Sequence, residues 1–400
     1  MLYALLVGGV IVSGCGAPPS LIADTAPSAS TPSASTEPVV TASPPGSESS
    51  VPPPKPSEPV PGVQSADPTP TTRIAVLALG VGYDVWAVVE DCGEERCHAA
   101  IERSVDDGKW SVQYRFERSP WRGTQPSLVV ASAQDIWAHL GGDWEGVVSH
   151  DGGASWHIGD LIFSDQLTSV RGEVWGLQGG AHINGHGSTV GHAASSADGL
   201  TPVASPPIAL AGGTQEVLVV SDTGTLFAAG SGIGGVWLDV SVDSGASWQE
   251  RPVPCAKDRD WRSLDWAAGA LWLVCAGEPT AGLQRKSSYR SLDDGRTWTA
   301  EAPLEAYAYA TNIVAVDARV AWRFGFRAPL YRTADGGATW SPLLGELFGD
   351  AGGGFTPDIA VAGPDGSLLV SWRGRVLRVD RNGQVRSSDT VSPAEEPLSR

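Results

Sequence analysis

One eight-residue pattern recurs along this chain at near-constant spacing, and no other feature narrows the choice of fold so far. Ser291-Leu-Asp293-Asp-Gly295-Arg-Thr-Trp298 reads S-x-D-x-G-x-x-W. Ser149-His-Asp151-Gly-Gly153-Ala-Ser-Trp156 and Ser241-Val-Asp243-Ser-Gly245-Ala-Ser-Trp248 fit every position, and Thr333-Ala-Asp335-Gly-Gly337-Ala-Thr-Trp340 fits with Thr for Ser. Ser104-Val-Asp106-Asp-Gly108-Lys-Trp110 is one residue short, and Ser196-Ala-Asp198-Gly199 and Val379-Asp380-Arg-Asn-Gly383 are worn copies without the Trp. With Asp106, Asp151, Asp198, Asp243, Asp293, Asp335 and Asp380 as markers, successive steps are 45, 47, 45, 50, 42 and 45 residues. Such a period signals stacked supersecondary units, none of which buries its apolar face alone.

The residue types are those of a tight hairpin. Such a bend leaves backbone N–H groups unpaired, and a short carboxylate folds back to accept them. Gly supplies the φ > 0 that a side chain resists. The hydroxyl adds a local hydrogen bond, and the Trp lays a large apolar ring on the neighbouring sheet. Asp106, Asp151, Asp243, Asp293 and Asp335 are therefore read as structural, and nothing in the pattern requires a substrate.

The pattern resembles the Asp-box, the bacterial neuraminidase repeat. With Asp-x-Trp-Ala upstream and Asp-Gly-Gly-x-x-Trp downstream, it is also similar to the photosystem II assembly-factor type of propeller. The resemblance covers roughly residues 73 to 390. It implies an all-β fold: a seven-bladed β-propeller of four-stranded blades, each box capping the hairpin between the third and fourth strands. It implies little about activity, because propellers host unrelated functions. From Arg73 the chain is made of short apolar runs broken by Gly, the texture of an all-β repeat. Seven such runs accompany the seven markers, centred on Trp86, Trp137, Trp175, Phe227, Trp272, Trp322 and Leu369. Five of the 16 Trp lie in these runs and five in boxes, so Trp121, Trp144, Trp237, Trp261, Trp266 and Trp372 have no repeat role. Residues 73–392 are assigned to the propeller and 393–400 to a flexible tail. Two closures fit: an outer strand at Val385 to Asp389, or a segment before Arg73 joining the last blade.

The N-terminus is different material. Leu2 to Val12 is an uncharged apolar run, too short for an ordinary spanning helix and suited to a signal-peptide core. It ends in Val12-Ser13-Gly14-Cys15, which resembles a bacterial lipobox. The resemblance implies a lipoprotein signal peptide over residues 1–14 and acylation of Cys15; an ordinary secretory signal with an incidental Cys is the alternative. Residues 15–72 form a Pro/Ser/Thr-rich segment. From 16 to 72 it holds 15 of the 30 prolines, 18 Ser or Thr and no aromatic residue. Such a segment cannot bury enough apolar surface to order itself. As a partly polyproline chain it reaches roughly 100–180 Å, which suits a tether.

Antiparallel blades place the first-to-second and third-to-fourth connections on one face, with the boxes, and the other connections on the opposite face. The longer, irregular connections therefore collect away from the boxes, where function concentrates. Cys92 and Cys97 fall in one such connection. Cys255 precedes a blade and Cys275 ends its second strand, so both reach that same face. Of three possible pairings this favours 92–97 and 255–275, as in an oxidising compartment. A zinc site from four such scattered Cys is disfavoured, since the one close pair is widely spaced.

Three groups bear on function. Sialidases, which share the Asp-box propeller, need an arginine triad, a Tyr–Glu pair and an acid/base Asp. Arg73-Ile74 resembles the start of a sialidase motif, but Ala75 stands where Pro should follow. Tyr307, Tyr309, Arg122, Arg262, Arg323 and Arg327 are available but match no family position, so no catalytic residue is assigned. His182, His186 and His192 have separations that suit a transition metal. No carboxylate lies between them, and a Gly-rich polar loop with incidental histidines is the favoured account, so neither metal nor cofactor is assigned. The third group is Trp121, Arg122, Trp144, Trp261, Arg262, Arg327 and Trp372, placed on the face opposite the boxes. Exposed Trp and Arg anchor protein or glycan partners; packing between blades is the alternative for each Trp.

A net charge of −18 with only four Lys argues against nucleic acid as a partner. It leaves the N-terminal lipid as the sole membrane contact. The expectation is an exported monomer, lipid-anchored or extracellular, serving as a non-catalytic binding or assembly scaffold at the bacterial cell envelope. Its partner would be a protein or glycan. The alternative is a sialidase-type exo-glycoside hydrolase.

Overall fold

The computed structural model describes residues 71–390 except 81–83, 93–96, 106–108, 118–125, 141–145, 161–163, 179–188, 194–196, 205–215, 233–234, 256–258, 278–283, 300–301, 305–308, 327–329, 344–358, 364 and 373–374. The signal peptide (1–14), Cys15, the tether up to residue 70 and the 393–400 tail lie outside the described residues. Thr71 and Thr72, assigned above to the tether, open the first strand.

Each set of four consecutive strands pairs as an antiparallel meander with no crossover, giving seven sheets among the described residues. Blade 1 runs from Thr71–Leu79 to Trp110–Arg115 and blade 2 from Ser127–Val130 to His157–Gly159. Blade 3 runs from Ser164–Val170 to Thr201–Ala204, and blade 4 from Glu216–Val220 to Gln249–Glu250. Blades 5, 6 and 7 begin at Arg259–Ala267, Tyr309–Ala315 and Ala360–Ala362, and end at Ala302–Leu304, Ser341–Pro342 and Val385–Thr390. The first strands of successive blades touch, and that of blade 7 touches that of blade 1. The circle is closed around these innermost strands.

The second strands explain the apolar runs in the sequence. A strand sandwiched between two other blades is covered on both faces and loses the in/out alternation. Ala270–Gly277 is buried along its whole length. Trp86, Trp137, Trp272 and Trp322 of these strands are at most 1% exposed. Between each pair of neighbouring blades lies one apolar cluster. Trp86, Val88 and Ile101 of blade 1, for example, meet Leu128, Ile136 and Val147 of blade 2. Trp322 and Phe324 of blade 6 meet Leu368, Val370 and Leu377 of blade 7. The seam that closes the circle sets Ile74, Leu77, Val85, Ala87 and Val89 against Leu369 and Val376.

Closure uses a complete last blade. Val385–Thr390 is its outer strand, and the N-terminal strand belongs to blade 1, so no strand among the described residues is shared between them. What holds the seam among the described residues is apolar burial. Two of the Trp without a repeat role also pack in seams: Trp237 between blades 3 and 4, and Trp266 between blades 4 and 5.

Candidate functional site

The four complete boxes share one hydrogen-bond scheme at the turn between the third and fourth strands. In blade 2 the Ser149 hydroxyl donates to Asp151 Oδ1 (2.9 Å) and accepts from the Gly153 N–H (2.8 Å). Asp151 Oδ1 accepts from the Ser155 N–H (2.8 Å), and Oδ2 from the Ser155 hydroxyl (2.6 Å). The same bonds recur around Asp243, Asp293 and Asp335, with Ser247, Thr297 and Thr339 in the place of Ser155. The seventh position is thus a functional part of the pattern, which the reading S-x-D-x-G-x-x-W left blank. Hydrogen bonds from these hydroxyls, then from the backbone N–H groups, hold all four carboxyls at a pKa of about 2. Such groups are ionised at neutrality and committed to the bend, which rules them out as general acids. Asp106 lies outside the described residues.

The boxes also fasten each blade to the one before it. The Trp156 ring meets Trp86 of blade 1 edge-on, with centroids 6.4 Å apart. Trp340 does the same to Trp272 of blade 5 at 6.3 Å. Trp298 Nε1 donates to the Pro252 carbonyl beyond blade 4 (2.7 Å). Trp110 of the short box packs into the seam with blade 7. The box glycine serves this contact too. Gly337 has φ +92°, and a Cβ there would sit 3.1 Å from the Trp272 ring. Gly337→Ala is expected to lose about 1–2 kcal/mol of stability, the cost of placing a side chain in a strained backbone against an unyielding neighbour. A urea titration of both proteins measures it.

One worn box departs from this scheme. Counting from Ser196, the seventh position of the blade 3 copy is Pro202, which has neither an N–H nor a hydroxyl to offer Asp198. The carboxylate turns instead to blade 2. Asp198 Oδ1 lies 2.9 Å from His157 Nε2 and 3.2 Å from His150 Nε2. His150 Nδ1 contacts Asp135 Oδ1 at 2.7 Å, and Asp135 is itself held by the Ser132 hydroxyl at 2.6 Å. Beneath the cluster the backbone of Asp160, at the end of blade 2, bridges in parallel to Gly199. Burial works against a charge on His150, but its bonds to Asp135 and Asp198 outweigh that and raise its pKa. Hydrogen bonds from His157 and then His150 lower that of Asp198. His150 occupies the second position of a box, where Val242 and Leu292 simply face solvent. Sequence reasoning passed over this group. Its signal was a His at a position that needs no particular side chain, with a Pro where the next box needs a hydroxyl.

The residues singled out earlier fare variously. Trp121, Arg122, Trp144, Arg327, His182, His186 and Tyr307 lie outside the described residues. Trp261 and Arg262 fall within the first strand of blade 5, with a register shift at Arg262; Trp372 ends the second strand of blade 7, opposite Arg375. Tyr309 opens the first strand of blade 6. Arg323 does not reach the open face: its guanidinium lies over the rings of Tyr331 (3.9 Å) and Trp340 (5.4 Å). His192 stacks on Trp175 at 4.2 Å, with Nε2 3.4 Å from Glu173. Cys255 and Cys275 form a disulfide, with Cys275 inside its strand and fully buried rather than at the strand end. Cys92 is disulfide-bonded and lies opposite Cys97 in the strand register.

This architecture defines a class: a closed seven-bladed β-propeller whose turns are stitched by carboxylates. No protein-family description matches the sequence, and no curated protein does. Among solved structures the chain is similar to YCF48 bound to a D1 peptide, with TM-score 0.53 and 16% identity over 80% of this chain and 97% of that one. It is similar to a polysaccharide lyase of family PL25, an ulvan lyase, with TM-score 0.51 and 11% identity over 78% and 92%. Sqt1 of Saccharomyces cerevisiae gives TM-score 0.51 and 10% identity over 80% and 86%. At these identities the likeness is one of fold.

Proposed function

We propose that this protein is an exported, lipid-anchored propeller that binds a protein or glycan partner at the bacterial cell envelope without chemical turnover. The observation that carries this reading is how the described charged groups are spent. The box carboxylates close turns. Arg73 pairs with Glu90, Arg103 with Asp84, Arg381 with Asp317 and Arg386 with Asp380. Arg290 and Arg332 lie over Trp272 and Trp322. These guanidiniums are distributed around the blades as structural ties, each held by a carboxylate or laid over an aromatic ring. A likeness in fold to a propeller solved with a bound peptide is in keeping with a binding role. The Pro-rich segment and Cys15 supply the reach and the anchor.

The test pairs two measurements on the full chain. Incubation with fluorogenic sialosides and aryl glycosides is expected to give no turnover. Cross-linking in envelope extract is expected to recover one reproducible partner, whose capture falls at least tenfold in Trp121→Ala/Trp144→Ala. Hydrolysis that disappears on substituting Arg262 or Tyr309 would replace this reading with the glycoside hydrolase.

A further inference from the structure

We propose that His150, His157 and Asp198 form a binding site for a divalent transition metal of the zinc class, which ties blade 2 to blade 3. The three ligand atoms lie within 4.8 Å of one another. A tetrahedral ion with ligand distances of about 2.0–2.1 Å needs its ligand atoms about 3.3 Å apart. The Asp198 oxygen already lies 2.9 and 3.2 Å from the two imidazole nitrogens. The remaining adjustment falls on the exposed side chains of His157 and Asp198 and the half-buried one of His150. Two imidazoles and one carboxylate are a borderline donor set that suits Zn²⁺, Co²⁺ or Ni²⁺ and disfavours Ca²⁺ and Mg²⁺, which take oxygen ligands.

A second, independent observation points the same way. Metal-bound histidines usually give their other ring nitrogen to a carboxylate that fixes tautomer and orientation. His150 has such a partner: Asp135 receives Nδ1 at 2.7 Å and is braced from behind by Ser132. Nε2 is thereby aimed at the point where His157 and Asp198 meet. Asp135 acts here as a positioning residue. On binding, the ion displaces any proton held on Nε2 of either ring to solvent.

The location gives the ion a task. Complete boxes fasten their blade to the previous one with a Trp; the blade 3 copy has Val203 at that position, 39% exposed. Its carboxylate is also the one released from turn duty by Pro202. A metal bridging His150 and His157 of blade 2 to Asp198 of blade 3 restores, by coordination, the tie that the missing indole would have made.

The experiment uses the full chain stripped with EDTA and titrated with Co²⁺, followed by its visible d–d absorption, and with Zn²⁺ by calorimetry. One equivalent is expected to bind, and Zn²⁺ to raise the thermal midpoint. His157→Ala and Asp198→Asn, both solvent-facing changes, are expected to abolish the saturable signal while circular dichroism stays unchanged. Asp135→Asn is expected to keep the stoichiometry and weaken the Zn²⁺ dissociation constant by about 10–100-fold. Failure of the wild type to bind, or binding unaltered in His157→Ala and Asp198→Asn, overturns the proposal. Binding that survives these changes and vanishes in His182→Ala/His186→Ala places the ion in the other histidine group instead.

Discussion

Trp272→Ala is expected to lower the free energy of unfolding by about 4 kcal/mol, the range for truncating a large aromatic in a packed core. Its indole is fully buried in the second strand of blade 5, yet most of what it supports belongs to blade 6. Nε1 donates to the Asp317 carbonyl in the first turn of blade 6 (3.2 Å). The Trp340 ring meets it in a T-shaped, edge-to-face contact, and a Cβ added at Gly337 would come within van der Waals reach. Truncation opens a cavity and leaves that carbonyl short of a donor. Trp340→Ala, at the partly exposed end of the same contact, is expected to cost about half as much. The double variant should cost less than the sum, because each single change already removes the shared contact. Urea denaturation of the four proteins measures the coupling; strict additivity would mean the two rings do not hold the seam together. Each blade is held to its neighbours by apolar seams, so weakening one seam loosens the whole circle, and tryptophan fluorescence and far-ultraviolet circular dichroism should report one coincident transition.

The fold was legible because its hardest requirement is repeated. A tight bend next to another blade needs a carboxylate, a hydroxyl, a backbone free to take positive φ and a flat ring, and few residues meet those needs. Asp151, Asp243, Asp293 and Asp335 therefore stood out at even spacing without any knowledge of their contacts. The second strands were legible for a related reason: burial on both faces turns alternation into runs, as in Ala270–Gly277. The unassigned aromatics were less legible, since a Trp looks the same in a seam as on an open face. Trp237, whose ring covers Gly230, resolves as packing only when the neighbouring blade is in place. The His150 group was hidden by the same regularity that disclosed the fold. His150 and Asp198 are 48 residues apart, a full repeat. His150 and His157 are near one another in sequence, but the carboxylate that joins them comes from the next blade, where a search along the sequence does not look.

Glu102 lies in the third strand of blade 1, directly opposite Ala87. Paired residues of neighbouring strands share a face, and Ala87 is part of the cluster that seals blade 1 to blade 7. Neither Glu102 oxygen has a hydrogen-bond partner among the described residues. Burial pushes its pKa up to about 7, against a smaller opposing pull from the charge of Arg115. In the unfolded chain the group titrates in the ordinary carboxylate range, near 4.5. Below that pH both states are protonated. As pH rises from there through 7, the unfolded chain ionises first and the native state must then ionise in an apolar seam, so stability falls. The total loss from this group is about 3 kcal/mol. The box carboxylates act in the opposite sense at another pH: their contribution is present above about 4 and is lost as pH falls toward 2. Asp239 and Asp265, both raised to about 6 chiefly by burial, steepen the upper limb in wild type and variant alike, so they cancel in a comparison. Urea titrations at pH 5 and pH 8 should therefore show Glu102→Gln losing about 2.5 kcal/mol less than the wild type across that interval. Equal losses in the two proteins would mean that Glu102 is already charged in the folded state, with Arg115 neutralising it at the seam.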